Sequence, residues 1–165
     1  MKTVFINGSP KKKLSVSSYL LGVVRFLVRG EVVSEQVRNS GDHERVLNSI
    51  RDAENVVFGM PLYVDGVPSH VLAFMKEMER FCIDNNIRLN VYVVSNGGFI
   101  EGCQNRALMQ VMESFCKRCN FAVISVYFGG RFFLCDYFCS SGWNFSRVAE
   151  SEIVIYYDKQ QASLH

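Results

Sequence analysis

The chain has 165 residues, enough for one domain with a substantial core, and its 48% hydrophobic and 21% charged residues exclude a disordered chain. A net charge of +2 is too weak for a nucleic-acid footprint and argues against a strongly acidic electron carrier. No apolar run reaches the ~18 residues that suggest a membrane span. Met1-Lys2-Thr3 enters a strand at once, without a signal-peptide layout, so a cytoplasmic protein whose six cysteines are reduced thiols is expected.

In chain order, Val4-Phe5-Ile6 reads as a first strand. Tyr19, Leu20, Val23, Val24, Leu27 and Val28 recur at helical spacing, and Gly30 is placed to end that helix. Glu31 to Arg38 mixes Val32, Val33 and Val37 with polar residues, as a strand in a wetter setting such as a sheet edge would. Val46, Leu47 and Ile50 suggest a short second helix. Val56-Val57-Phe58 is a buried strand running into Gly59-Met60-Pro61, and Val71, Leu72, Phe74, Met75, Met78 and Phe81 give a third helix. Val91 to Val94 is a fourth strand, Leu108, Val111, Met112 and Phe115 a fourth helix, and Phe121 to Phe128 a fifth strand ending at Gly129-Gly130.

Five strands alternating with helices predict an α/β fold, a doubly wound parallel sheet with helices on both faces. The continuous apolar strands agree, since a strand buried on both faces has no wet side. After Gly130 the pattern loosens. Residues 131 to 143 are aromatic and irregular, Phe145, Val148, Ala149, Ile153 and Tyr156 fit a fifth helix, and Ile153 to Tyr157 equally fit a strand.

In such a fold ligands bind beyond the carboxyl ends of the strands. Three unusual loops follow strands here and are expected to converge on that edge: Gly8 to Ser18, Pro61 to Pro68, and Ser95 to Glu101. In the first, a helix N-terminus offers free N–H groups and partial positive charge for a phosphate. Gly8 permits close approach, and Ser9, Ser15, Ser17 and Ser18 add hydroxyls. The plainer alternative is that Ser15 or Ser17 only caps the helix while Lys11 to Lys13 are solvated or steer anions. The loop is neither a Walker P-loop nor a Rossmann fingerprint. In the second loop Tyr63 is flat enough to stack on a ring, or packs on the protein itself, and Pro61 and Pro68 stiffen the segment. In the third, Asn96-Gly97-Gly98 offers either backbone N–H groups to a ligand's acceptor edge or an ordinary turn.

The order Gly-Ser-Pro-basic loop, Pro-x-Tyr-x4-Pro and Asn-Gly-Gly-Phe resembles the flavodoxin-like NAD(P)H-dependent FMN reductases over roughly residues 2 to 130. The resemblance implies a five-stranded sheet of order 2-1-3-4-5, with residues 1–130 the FMN-binding domain and 131–165 a divergent segment packed on it. It implies that Ser9, Ser15 and Ser17, with Lys11 and Ser18 beside them, meet the FMN phosphate. Pro61, Leu62, Tyr63 and Val64 would border the isoalloxazine, and Asn96, Gly97 and Gly98 its pyrimidine end. It further implies NADPH or NADH as electron donor, a homodimer, and a small-molecule acceptor such as a quinone, an azo or nitro compound, or flavin. The hydride chemistry belongs to the cofactor, so no catalytic side chain is assigned. Two departures stand out: Val16 follows Ser15 where the family often has Ser or Thr, and "RFFLCDYFCSSGW" replaces a regular ending. They keep two other functions open, a flavodoxin-type electron carrier and a flavodoxin-like binding module that has lost flavin.

Other patterns carry less. Cys116-x2-Cys119 and Cys135-x3-Cys139 approach a four-cysteine metal spacing, but the first pair falls at the end of the fourth helix, and no metal site is assigned. Cys82 and Arg88 have a phosphatase-like spacing without its glycines or preceding strand. His43, His70 and His165 form no triad, and Glu101 suits a helix start without a catalytic role.

Overall fold

The structure is a computed structural model that describes residues 1–11, 15–64, 66–97, 105–128 and 154–157. In chain order these form β1 (Lys2–Asn7), α1 (Val16–Arg25), β2 (Glu31–Gln36), α2 (His43–Ile50), β3 (Asn55–Pro61), α3 (Ser69–Asp84), β4 (Asn90–Asn96), α4 (Arg106–Cys119), β5 (Ala122–Phe128) and β6 (Val154–Tyr157). The sheet order is β2-β1-β3-β4-β5-β6. The first five strands are parallel in the expected order 2-1-3-4-5. β6 is an addition, running antiparallel to β5 with Ile124 opposite Tyr157. Of the two forms open to Ile153–Tyr157, the strand is therefore found over Val154–Tyr157. Phe145, Val148 and Ala149 lie outside the described residues.

Burial explains which strands read clearly. β3 is buried from Asn55 to Met60, whereas β2 is nowhere fully buried, because it is an edge strand. One sheet face carries α2, α3 and α4, with Val46, Ile50, Phe74, Met78, Met112 and Phe115 packed on Val4, Ile6, Val56, Phe58 and Val91. The other face carries α1, whose Leu21 packs on Phe5, Val57 and Val94. Burying Leu21 contributes about 2 kcal/mol. The close seat of α1 depends on Gly59: a Cβ there would stand 2.4 Å from Leu21 Cγ.

The first helix is shorter than its apolar spacing predicts. It ends at Arg25, and Phe26, Leu27 and Val28 form tight turns that bond back to Val23, Val24 and Arg25. Of the residues at helical spacing, Tyr19 and Leu27 are exposed, so they do not belong to a buried helical face. No helix among the described residues is long and apolar enough to cross a membrane.

Candidate functional site

The first loop leaves β1 at Asn7, whose amide organises it. Asn7 Oδ1 accepts from the Ser9 N–H at 2.9 Å, and Asn7 Nδ2 donates to Ser18 Oγ at 2.8 Å. Ser15 is the N-cap of α1, its hydroxyl accepting from the Ser18 N–H at 3.1 Å and sharing a 2.8 Å hydrogen bond with Ser18 Oγ. Such a cap stabilises a helix by about 1 kcal/mol. Two further side chains hold the loop from outside. Gln36 Nε2, at the end of β2, donates to the carbonyls of Ser9 and Lys11 at 3.1 and 3.0 Å. His70 Nε2 lies 2.9 Å from the Gly8 carbonyl, which only accepts, so this nitrogen carries a proton.

The three loops meet at Asn96, the last residue of β4. Its Oδ1 accepts from Ser17 Oγ at 2.7 Å, which joins the first loop to the third. Its backbone carbonyl accepts from the Leu62 N–H at 2.9 Å, which joins the second. One residue earlier, Ser95 Oγ donates to Asn105 Oδ1 at 2.9 Å, both residues buried, and so ties the end of β4 to the start of α4.

The second loop folds on itself. Tyr63 and Gly66 exchange backbone hydrogen bonds of 3.2 and 2.9 Å. The turn places Val64 at φ +46°, a conformation that β-branched residues rarely adopt. Val64 is fully exposed, whereas Tyr63 is 45% exposed, with part of its ring surface covered by the protein and part open. Pro61 and Leu62 are half-buried at the sheet edge.

The described ones among the expected residues lie at the ends of β1, β3 and β4, with tasks different from those their residue types suggest. Ser9, Ser15 and Ser17 are buried, and the hydroxyls of Ser15, Ser17 and Ser18 turn inward to protein partners. What α1 presents outward is its first turn of backbone N–H groups, with no acidic residue in that turn. Gly8 is required by packing: a Cβ there would stand 2.7 Å from Val71 Cγ2 and 3.3 Å from Met60 Cβ. Lys11 is exposed, and Gly97 is half-buried just after β4. Gly98, Lys12, Lys13 and Glu101 lie outside the described residues.

Sequence reasoning missed Asn7, Gln36 and His70. Asn7 carried a usable signal, a polar residue closing an apolar strand directly before Gly-Ser-Pro. Gln36 and His70 come from distant elements and carried none. His43 serves packing between α2 and α3, with Nδ1 3.0 Å from Glu77 Oε1 and its ring edge-on to Phe74. Cys82, Cys116 and Cys119 are buried free thiols. Burial first, then the nearby Cys119 thiol, pushes Cys82 up to about 12; burial, then Glu79, pushes Cys119 up to about 11. Among the described residues no cluster of His, Cys, Asp and Glu is placed to hold a metal, and Cys135 and Cys139 lie outside them.

Solved structures share this architecture. The Trp repressor binding protein from Bacillus subtilis superposes with a TM-score of 0.62 at 16% identity, over 79% of this chain and 88% of that one. A flavodoxin, a WrbA-like protein from Agrobacterium tumefaciens, gives 0.60 at 13% identity over 73% and 74%. An NADPH-quinone reductase from P. pentosaceus gives 0.61 at 13% identity over 77% and 85%. The fold is flavodoxin-like. The family resemblance carried by the three sequence motifs thus coincides with the fold of proteins that bear flavodoxin and quinone reductase names. No family model and no curated protein sequence matches the chain.

Proposed function

We propose that this protein is an FMN-dependent NAD(P)H oxidoreductase, passing electrons from a nicotinamide to a small-molecule acceptor such as a quinone, an azo or nitro compound, or flavin. One observation carries the reading: Asn96 fastens the phosphate-type helix N-terminus, through Ser17, to the aromatic second loop, through Leu62. A helix N-terminus and an exposed aromatic loop side by side suit a ligand with an anion at one end and a flat ring at the other. The flavodoxin-like neighbours support it, among them the NADPH-quinone reductase.

The residues fit FMN in a specific way. The phosphate would be held by the backbone N–H groups of Val16 and Ser17, because the hydroxyls of Ser15, Ser17 and Ser18 already serve the protein, and by the Ser9 hydroxyl, which only accepts from the Lys11 N–H at 3.4 Å. Lys11, exposed beside them, adds attraction at longer range. Tyr63 and Val64 would border the ring, and Asn96 and Gly97 would face its polar edge. FMN, when bound, supplies the hydride chemistry. The chain's own part is to bind, orient and cover one face of the ring. In this reading residues 1–130 form the flavin-binding unit, and the protein is a homodimer. The exposed apolar side chains of Val16, Tyr19, Phe26 and Leu27 along α1 and the turn after it support an association.

A second reading has its own observation. The inward-turned hydroxyls of Ser15, Ser17 and Ser18 would also suit a flavodoxin-like module that no longer holds flavin. One experiment separates the two. The purified protein is mixed with FMN, desalted, and then treated anaerobically with NADPH or NADH. Retained flavin absorbance that bleaches on adding nicotinamide is the expected result. Folded protein that retains no flavin would sink the proposal in favour of the module. Retained flavin that resists both nicotinamides would favour an electron carrier.

A further inference from the structure

α1 packs chiefly on β1, β3 and β4, and Val32 of the edge strand β2 joins the same apolar cluster. Between α1 and β2 opens a cavity of about 520 Å³, lined by Arg25, Arg38, Arg45, Glu35, Asn7 and Ser18. Its lining carries three guanidinium groups and the Glu35 carboxylate, with Asp42 just outside it, bonded to the Arg38 backbone N–H at 2.9 Å. Arg45 is committed: it pairs with Glu35, and reaches Asp42 Oδ1 and the Gln36 carbonyl, each at 3.3 Å. Arg25 makes only a long contact, 3.4 Å from Nη1 to Ser34 Oγ. Arg38 Nε is buried and has no hydrogen-bond partner among the described residues. Arginine cannot shed its charge, so a buried donor without a partner is costly.

Two uncommitted guanidinium groups match a dianion, and their planar forks match phosphate oxygens. The volume exceeds what a phosphate needs and falls in the ~300–1,000 Å³ range of small-molecule pockets. The remaining space is bounded by Phe5, Leu21 and Gly22, an apolar wall suited to a base or sugar. We propose that this cavity binds a nucleotide through a phosphomonoester gripped by Arg25 and Arg38. The proposal does not rest on the flavin reading, although Asn7 and Ser18 border both places.

The phosphomonoester has two sources, a free nucleotide or the 2′-phosphate of a phosphorylated dinucleotide. Isothermal titration of the full chain with 2′,5′-ADP, 5′-AMP and inorganic phosphate distinguishes them. The expected result is nucleotide binding that Arg38→Gln and Arg25→Gln each weaken at least tenfold, about 1.4 kcal/mol. Arg25 is exposed, so its variant keeps the test valid if Arg38→Gln disturbs folding. A preference for 2′,5′-ADP assigns the dinucleotide phosphate, and equal binding of 5′-AMP assigns a free nucleotide. Saturating FMN should leave the affinity unchanged; competition would place the phosphate in the flavin loop and overturn the assignment. Inorganic phosphate binding as tightly as the nucleotides, no binding at all, or binding insensitive to both arginines would equally overturn it.

Discussion

Ser17 Oγ donates to Asn96 Oδ1 at 2.7 Å across 79 residues of sequence. Ser17 is buried, so Ser17→Ala leaves the Asn96 oxygen without that donor, at a cost of about 1 kcal/mol. Asn96→Ala removes the acceptor and strands the Ser17 hydroxyl, at about the same cost. The double variant should lose less than the sum, because neither orphan then remains. Urea unfolding of the four proteins measures the cycle. Additive losses would mean that the bond does not tie the loops together. If the proposed flavin site is right, both single variants also retain FMN less well on desalting.

Gly59 is the second point of close fit. A Cβ at that position would stand 2.4 to 2.7 Å from three carbons of Leu21. Gly59→Ala should therefore destabilise the protein by about 1–3 kcal/mol through overpacking. Leu21→Ala alone should cost about 2–5 kcal/mol through lost burial and a cavity. Combined, the two should be distinctly less harmful than their sum, since the small residue makes room for the added methyl. Thermal melts of the single and double variants check it, and a strictly additive result would mean that α1 is not seated on Gly59.

How much of this was legible follows from what leaves a trace in sequence. Val4-Phe5-Ile6 and Val56-Val57-Phe58 are buried on both sheet faces, so their strands appear as unbroken apolar runs. Order and direction of the first five strands follow from the alternation with helices and the family resemblance. The end of α1 was misplaced because Leu27 and Val28 keep the helical spacing while the backbone has already turned; apolar spacing does not report where hydrogen bonding stops. The positions of the three loops were legible as strand ends. The inward aim of the Ser15, Ser17 and Ser18 hydroxyls was not, because a pair such as Ser17 and Asn96 repeats at no period. Gly8 suggested ligand approach, yet the space beside it belongs to Val71.

The buried thiols predict a pH dependence. Cys82 and Cys119 ionise in the folded protein at about 12 and about 11, against the ordinary thiol value of 9.0, chiefly because burial disfavours the thiolate. Cys116 is raised as well, for the same reason first. The folded state thus holds its protons where the unfolded chain has released them. Stability from this source is complete below pH 9.0 and falls as pH rises from there through about 12. Denaturant midpoints at pH 8 and pH 10 should show the loss, and a Cys82→Ala/Cys116→Ala/Cys119→Ala variant should show less of it. At pH 8 a thiol reagent followed by peptide mapping should leave these three positions unlabelled until the protein is unfolded. Rapid native labelling of Cys116 would contradict its burial.

Val64 offers the sharpest separation of stability from function. It holds φ +46° while fully exposed, so it meets a backbone penalty and gains no burial in return. Asn tolerates this region better than a β-branched residue does. Val64→Asn should therefore raise the unfolding free energy by up to ~1 kcal/mol, within the range of strain at such positions. In the proposed flavin site the same side chain borders the ring, and exchanging an apolar surface for an amide should weaken FMN retention. The expected variant is thus more stable and binds FMN less well. A gain in stability with unchanged FMN affinity would remove Val64 from the ring's border and leave Tyr63 to hold it. No gain in stability would mean that the turn between Tyr63 and Gly66 carries no strain for asparagine to relieve.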